Sequence, residues 1–264
     1  MVFLRPAEFP WEATLSEDDG RLHQGQDDLA DVGAWYIRTY NFVPTGDAIA
    51  DRERQAFLGA LIWNADSGAR VVNPVPALMQ NSFKLRQLHL FREAGLPLPR
   101  TLVSNDPARV RAFVAEQGDV IYKPVAGGAL ARRWEPGDEA RLDSLREGPV
   151  IFQECVAGTN LRVHVLGGEV ISAGAIASES LDYREAEFDI VPHRLAATER
   201  KLCGMAAKAA GMPFAALDII RRPDGGLVLL EANPTGYFLL FEQRLGHPIG
   251  DRLAGYLVGG GTKP

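Results

Sequence analysis

The segment LDIIRRPDGGLVLLEANPTGYF, residues 217–238, constrains this chain more than any other. Two apolar runs, FAALDII and LVLLEAN, flank a PDGG turn. Such runs pair as an antiparallel hairpin, with glycine supplying the backbone freedom a tight turn needs. A symmetric loop sets Arg222 opposite Leu227 and Asp218 opposite Glu231. Opposed side chains on neighbouring strands have Cβ atoms roughly 4.5–5.5 Å apart. Asn233 lies two residues beyond Glu231 and so shares its face. Two like charges opposed between apolar flanks cost stability unless a cation intervenes. Oxygen donors without His or Cys suit Mg²⁺, which keeps waters and takes phosphate oxygens as well. The bland alternative is a solvated hairpin edge, which the apolar flanks disfavour. Asp218, Glu231 and Asn233 are therefore the candidate metal ligands.

Periodicity and punctuation place the remaining elements. Residues 1–78 read as a small, irregular N-terminal lobe, with GAWYIRTY a buried strand and a helix opening at Asp51. NPVPALMQN, with its two prolines, reads as a linker or boundary. Residues 79–148 form a central lobe: a helix from Ser82 to Gly95, a strand LPRTLVS, a helix capped by Asp106, then the strand DVIYKPV and a glycine-bearing loop. The last lobe, 149–264, holds the strand VIFQECV, a hairpin turning at Gly167 and Gly168, a helix closed by Gly211, the acidic hairpin and a final amphipathic helix. Strands and helices intermix without βαβ regularity, so the fold class is α+β, with mixed α/β lobes.

Lys123 ends the strand VIYKP, just before Gly127 and Gly128. Alone it is a snorkelling edge lysine; followed by a glycine loop, it pairs a mobile cation with backbone N–H groups that can approach phosphate. No GxxxxGK[ST] occurs, so a P-loop is excluded. In GTNLRVHV, Arg162 and His164 alternate with Leu161, Val163 and Val165, which by itself reads as a polar outer face.

The run LDII…GGLVLLEANPTGYFLLFEQRLGHPIGDRLAGYL resembles the metal-binding end of the ATP-grasp ligases. Within them it is most similar to the graspetide (microviridin-type) peptide ligases, and less so to the ribosomal-protein glutamate ligases. The resemblance spans residues 33–258 and implies an ATP-grasp fold with a reduced N-terminal lobe, since 32 residues precede GAWYIRTY. It implies that Asp218, Glu231 and Asn233 hold Mg²⁺ (two ions, with Mn²⁺ as a substitute) on the phosphates of ATP. It makes Lys84 and Lys123 nucleotide-contacting lysines, Gly127 and Gly128 part of a flap, and Gln153, Glu154 and Val156 the adenine hinge. Asn160 stands where the family has a ribose-binding Asp. Arg162, and Arg184 in LDYRE, would act on the transferring phosphoryl group. The implied substrate is a precursor peptide. A small or carrier-bound carboxylate with an amine is the second reading, and a kinase or a non-turning regulator stands behind both.

The totals narrow the setting. A net charge of −6 argues against broad nucleic-acid or membrane binding. Two cysteines without a CxxC speak for a reducing compartment. The N-terminus lacks a signal-peptide pattern and no apolar run reaches the ~18 residues of a membrane span, so a cytoplasmic protein is expected. A homodimer is left open.

Overall fold

A computed structural model of the chain describes residues 9, 12, 14–38, 44–80, 82–126, 129–178 and 187–259. The chain divides into two compact units, Met1–Val75 with Leu253–Pro264, and Pro76–Arg252. In the smaller unit β1 (Leu15–Asp18), β2 (Arg21–Gln24) and β3 (Asp27–Asp28) form an antiparallel meander. Then β4 (Ala34–Tyr36), α1 (Ala48–Gly68) and β5 (Arg70–Val72) make a βαβ crossover, with β4 and β5 parallel. The helix starts at Ala48 rather than Asp51. Asp47 is its cap, accepting from the Ile49 and Ala50 amides at 2.9 and 3.2 Å. Asp51 lies in the first turn and accepts from the Thr45 amide and hydroxyl.

The boundary between the units falls at Val75 and Pro76, inside NPVPALMQN as its prolines suggest, but the segment is a short helix, α2 (Val75–Met79), and not an irregular linker. Pro76 stands in the first helical turn, where a missing N–H costs nothing, and Ala77 and Leu78 are buried. Next come α3 (Lys84–Glu93), β6 (Thr101–Ser104), α4 (Pro107–Gln117), β7 (Val120–Pro124), β8 (Arg132–Arg133), a 3₁₀ stretch at Pro136–Glu147 and β9 (Val150–Glu154). The four strands form an antiparallel sheet in the order β6-β9-β7-β8. Val110 and Phe113 of α4 and Leu142 and Leu145 of the 3₁₀ stretch pack on Val120 and Phe152.

A second antiparallel sheet, ordered β12-β11-β10-β13-β14, is built from β10 (Thr159–Leu166), β11 (Glu169–Ala177), β12 (Asp189–Pro192), β13 (Phe214–Arg221) and β14 (Leu227–Asn233). Between β12 and β13 runs α5 (Ala197–Ala209). Leu161, Val163, Val165, Leu217 and Ile219 turn one sheet face into the main core, against Phe91 of α3 and Cys203, Ala206 and Ala207 of α5. Each such large apolar side chain is worth roughly 1.5–3 kcal/mol when fully buried.

The opposite sheet face, expected to be polar and outward, is also buried. Arg162 is 8% exposed and His164 0%. The cause is α6 (Leu239–Leu245), which lays Phe241 over both residues. Gly174 makes room for it: a Cβ there would stand 2.8 Å from Ile190 Cγ2 and 3.1 Å from Leu245 Cδ1. The chain closes with α7 (Ile249–Val258). Among the described residues, no helix is long and apolar enough to cross a membrane.

Candidate functional site

The acidic hairpin places its three oxygen-bearing side chains together. Asp218 lies opposite Glu231, as the symmetric loop requires. Nearer the turn the register differs from that expectation, since Leu227 faces Arg221 rather than Arg222. The Arg222 amide donates to Gly226 O at 2.8 Å, so the loop closes one residue tighter. A bulge with Leu230 as its extra residue then restores the Asp218–Glu231 opposition. The Asn233 amide group donates to Asp218 Oδ2 at 2.9 Å and to Glu231 Oε1 at 3.3 Å.

Two cations meet these acids, each from another element. Arg162 faces Asp218 across β10 and β13, with Nε 2.7 Å from Oδ1. Lys84, at the start of α3, places Nζ 2.5 Å from Glu231 Oε2. Lys123 lines the same cleft, together with Gln153 and Glu231. The acids respond in opposite directions. Burial pushes the Asp218 carboxyl above its ordinary range; Arg162 opposes this and the facing Glu231 adds to it. Burial also works to raise Glu231, but Lys84 and Lys123 outweigh it and hold that carboxyl below its usual range. One acid is thus firmly ionised, and the other is left wanting positive charge.

Gln87 carries no signal that sequence reading picks out. It stands one turn after Lys84 on α3 and is 4% exposed. Its side-chain amide donates to Ala232 O at 2.8 Å and accepts from Ala232 N at 2.9 Å. Because β14 is the edge of its sheet, this amide takes the place of a neighbouring strand at the residue between Glu231 and Asn233. The i, i+3 spacing Lys84–Gln87 on one helix face is the only trace in the sequence.

The other expected positions divide. Gln153, 2% exposed, donates to Thr101 Oγ1 at 3.0 Å and reaches the cleft. The Glu154 side chain is tied to Arg222 at 2.8 Å and accepts from the Arg100 amide. Val156 follows the end of β9, half-buried. Asn160 is two residues before Arg162 on β10 and shares its face. Gly127, Gly128 and Arg184 lie outside the described residues. His164 sits among Phe214 and Phe241, and among the described residues neither ring nitrogen has a hydrogen-bond partner, so it is placed as a packed core group rather than a base.

The donor set suits a hard divalent ion. Two carboxylates and an amide carrying its own oxygen meet at one spot, and the acid with a raised carboxyl is relieved by added positive charge. Among the described residues, no three His, Cys, Asp or Glu side chains gather to form a self-sufficient metal cage.

Two antiparallel sheets in one unit, with Lys123 from the first, Lys84 from α3, and paired acids with an arginine from the second, are the arrangement of the ATP-grasp class. The chain belongs to an ATP-grasp domain family (family 3 of its clade), whose pattern matches residues 67–241. Among solved structures it is similar to the ATP-grasp ligase PsnB complexed with a minimal precursor, with 35% identity, TM-score 0.85, and 95% of this chain and 87% of that one covered. It is also similar to the macrocyclase MdnB from Microcystis aeruginosa MRC, at 27% identity and TM-score 0.79, covering 97% and 90%. A probable alpha-L-glutamate ligase of Teredinibacter turnerae is 29% identical over 184 residues, 64% of this chain. The chain spans 60% of that relative's length.

Proposed function

We propose that this protein is an ATP-dependent carboxylate ligase that closes side-chain ester or amide links in a ribosomally made precursor peptide. The observation that carries the reading is the convergence of Asp218, Glu231 and Asn233 with Lys84, Lys123 and Arg162. The likeness to PsnB in complex with a minimal precursor, over 95% of this chain, supports the peptide as substrate.

In this reading Asp218, Glu231 and Asn233 hold Mg²⁺ (two ions, replaceable by Mn²⁺), which when bound supplies charge neutralisation at the ATP phosphates. Lys84 and Lys123 hold the phosphates. Gln153, Glu154 and Val156 line the adenine end, Gly127 and Gly128 close over the nucleotide, and Asn160 meets the ribose. Arg162 and Arg184 present planar guanidinium forks to the transferring group, whose oxygens they bind without losing charge. The substrate carboxylate takes the γ-phosphoryl group, giving an acyl phosphate and ADP. A hydroxyl or amine of the same peptide then attacks the acyl carbon, releases phosphate and yields an ester or amide. Catalysis of this kind is positional and electrostatic.

A second reading, the addition of an amino acid to a small or carrier-bound carboxylate, is favoured by the likeness to the probable alpha-L-glutamate ligase. Incubation with ATP, Mg²⁺ and each substrate class separates the two. A precursor peptide that loses one water per link while phosphate is released supports the first reading. A product one amino acid heavier supports the second, and a stable phosphoester sinks both. Glu231→Gln keeps side-chain shape and relieves the opposition to Asp218, so turnover should vanish while the fold remains. Undiminished phosphate release from that variant would remove the site.

A further inference from the structure

A second cleft, of about 350 Å³, opens in the larger unit at residues assigned no role above. Its polar lining is Ser172 on β11, His193 and Arg194 after β12, Arg200 on α5 and His247 between α6 and α7. No carboxylate lines it among the described residues. Acids on the neighbouring elements are engaged: Glu199 holds Arg221 at 2.6 Å and the Ala196 amide at 2.7 Å, Glu242 accepts from the Gly250 amide at 2.7 Å, and Glu169, next to Val170, is exposed and lies 4.0 Å from Arg252. In a chain of net charge −6, such a lining stands out against an acidic background.

Three further details show what the cleft is shaped to take. Ser172, 3% exposed, shares a hydrogen bond of 2.9 Å with His247 Nδ1, fixing that ring at the cleft wall. His193 lines the cleft half-buried, so its ring can report on what enters. Arg194 is exposed and makes no hydrogen bond or ion pair among the described residues, leaving its planar fork available. Ile171, Pro192 and Leu195 give the cleft an apolar floor.

The cleft also lies along a sheet edge. The β11–β12 ladder stops at Pro192, with a last rung from the His193 amide to Ala173 O at 3.0 Å. Beyond it, among the described residues, no strand pairs with the outer side of β11, and Arg200 donates to Val170 O at 3.0 Å. An open edge beside cations and an apolar floor suits an extended polypeptide whose side chain ends in a carboxylate.

We infer that the Ser172–His193–Arg194–Arg200–His247 cleft is a docking site for an acidic side chain, Asp or Glu, of a polypeptide lying along the β11 edge. It rests on the peptide reading above only for which polypeptide is docked, because binding is measured here without ATP or metal.

The test follows the ring resonances of His193 and His247, assigned with His193→Gln and His247→Gln, in the full chain. The titrants are a capped peptide of alternating Ala and Glu, glutarate, and inorganic phosphate. The peptide should move both resonances saturably, and glutarate should bind more weakly. Arg194→Gln with Arg200→Gln should weaken the peptide by about tenfold or more. Should the double variant unfold through loss of the Arg200–Val170 bond, Arg194→Gln alone should still weaken binding several-fold. Unmoved resonances, or unchanged affinity in the folded variant, would overturn the site. Glutarate binding as tightly as the peptide would overturn the polypeptide assignment, and phosphate displacing the peptide more strongly than glutarate would overturn the carboxylate assignment. A chain that fails as a ligase yet binds the peptide keeps this inference, whereas a working ligase with silent histidines loses it.

Discussion

His164 shows how a residue's surroundings set its chemistry. Its ring stacks on Phe214 at 6.1 Å and meets Phe241 edge-on at 5.3 Å. Burial, and then the nearby Arg162 and His247, push its pKa down to about 3. The folded protein therefore holds a neutral ring, while the unfolded chain takes up a proton near the ordinary value of 6.5. A depressed folded value means that the stability is fully present above the unfolded value and is lost as pH falls from there toward the folded one. Each pH unit in that window costs about 1.4 kcal/mol, so about 2 kcal/mol should disappear between roughly pH 7 and pH 5. Urea unfolding at the two values should show His164→Leu losing less than wild type by that amount, since every other titrating group is common to both. Parallel curves would mean that the ring is hydrated or paired in solution.

At the scale of elements, the link that matters is α3 to β14. The Gln87 amide fills both backbone bonding positions of Ala232, so the strand edge cannot twist away and the side chains on either side of Ala232 keep one face. Gln87→Leu keeps the bulk but leaves a buried N–H and C=O unmet, each worth about 1–3 kcal/mol. Stability should fall by about 2–6 kcal/mol in urea, and Mg²⁺-dependent nucleotide binding should weaken about tenfold in the variant that remains folded. If stability falls and nucleotide affinity does not, Gln87 is only a core hydrogen bond.

The same pair of elements shows what a sequence discloses. The acidic hairpin is legible because its turn is written in glycines and its acids interrupt long apolar runs, which is local information. The resemblance to the ATP-grasp ligases is carried by the same run. The bulge at Leu230 is not legible, for nothing in LVLLEAN distinguishes one leucine from the next; the tight loop closed by Arg222 and Gly226 decides it. The burial of Arg162 and His164 escapes a sequence reading because alternation reports one covered face, and α6 covers the other from far along the chain. Asp51 passes for a helix cap because Asp47 and Asp51 both precede the apolar run and either fits the pattern.

For the molecule as a whole, the candidate site exists only when the chain is folded. The Lys84–Glu231 contact alone joins residues 147 apart in sequence, and α3, β7, β10, β13 and β14 each contribute a side chain. An unfolded chain offers no such cluster, so a ligand of the site binds the native state and stabilises it by mass action. At about 100 times its dissociation constant, a non-hydrolysable ATP analogue with Mg²⁺ should add about 2.7 kcal/mol. For a chain of this size that corresponds to a rise in Tm of about 5–10 °C. Because Asp218 and Glu231 confront each other and the nucleotide's phosphates are also anionic, the analogue with EDTA should give a much smaller shift, and Mg²⁺ alone should give little. Glu231→Gln should lose most of the joint effect while keeping its own baseline Tm. An equal shift with and without the metal would mean that the lysines alone hold the nucleotide, and would detach the acidic hairpin from its proposed role.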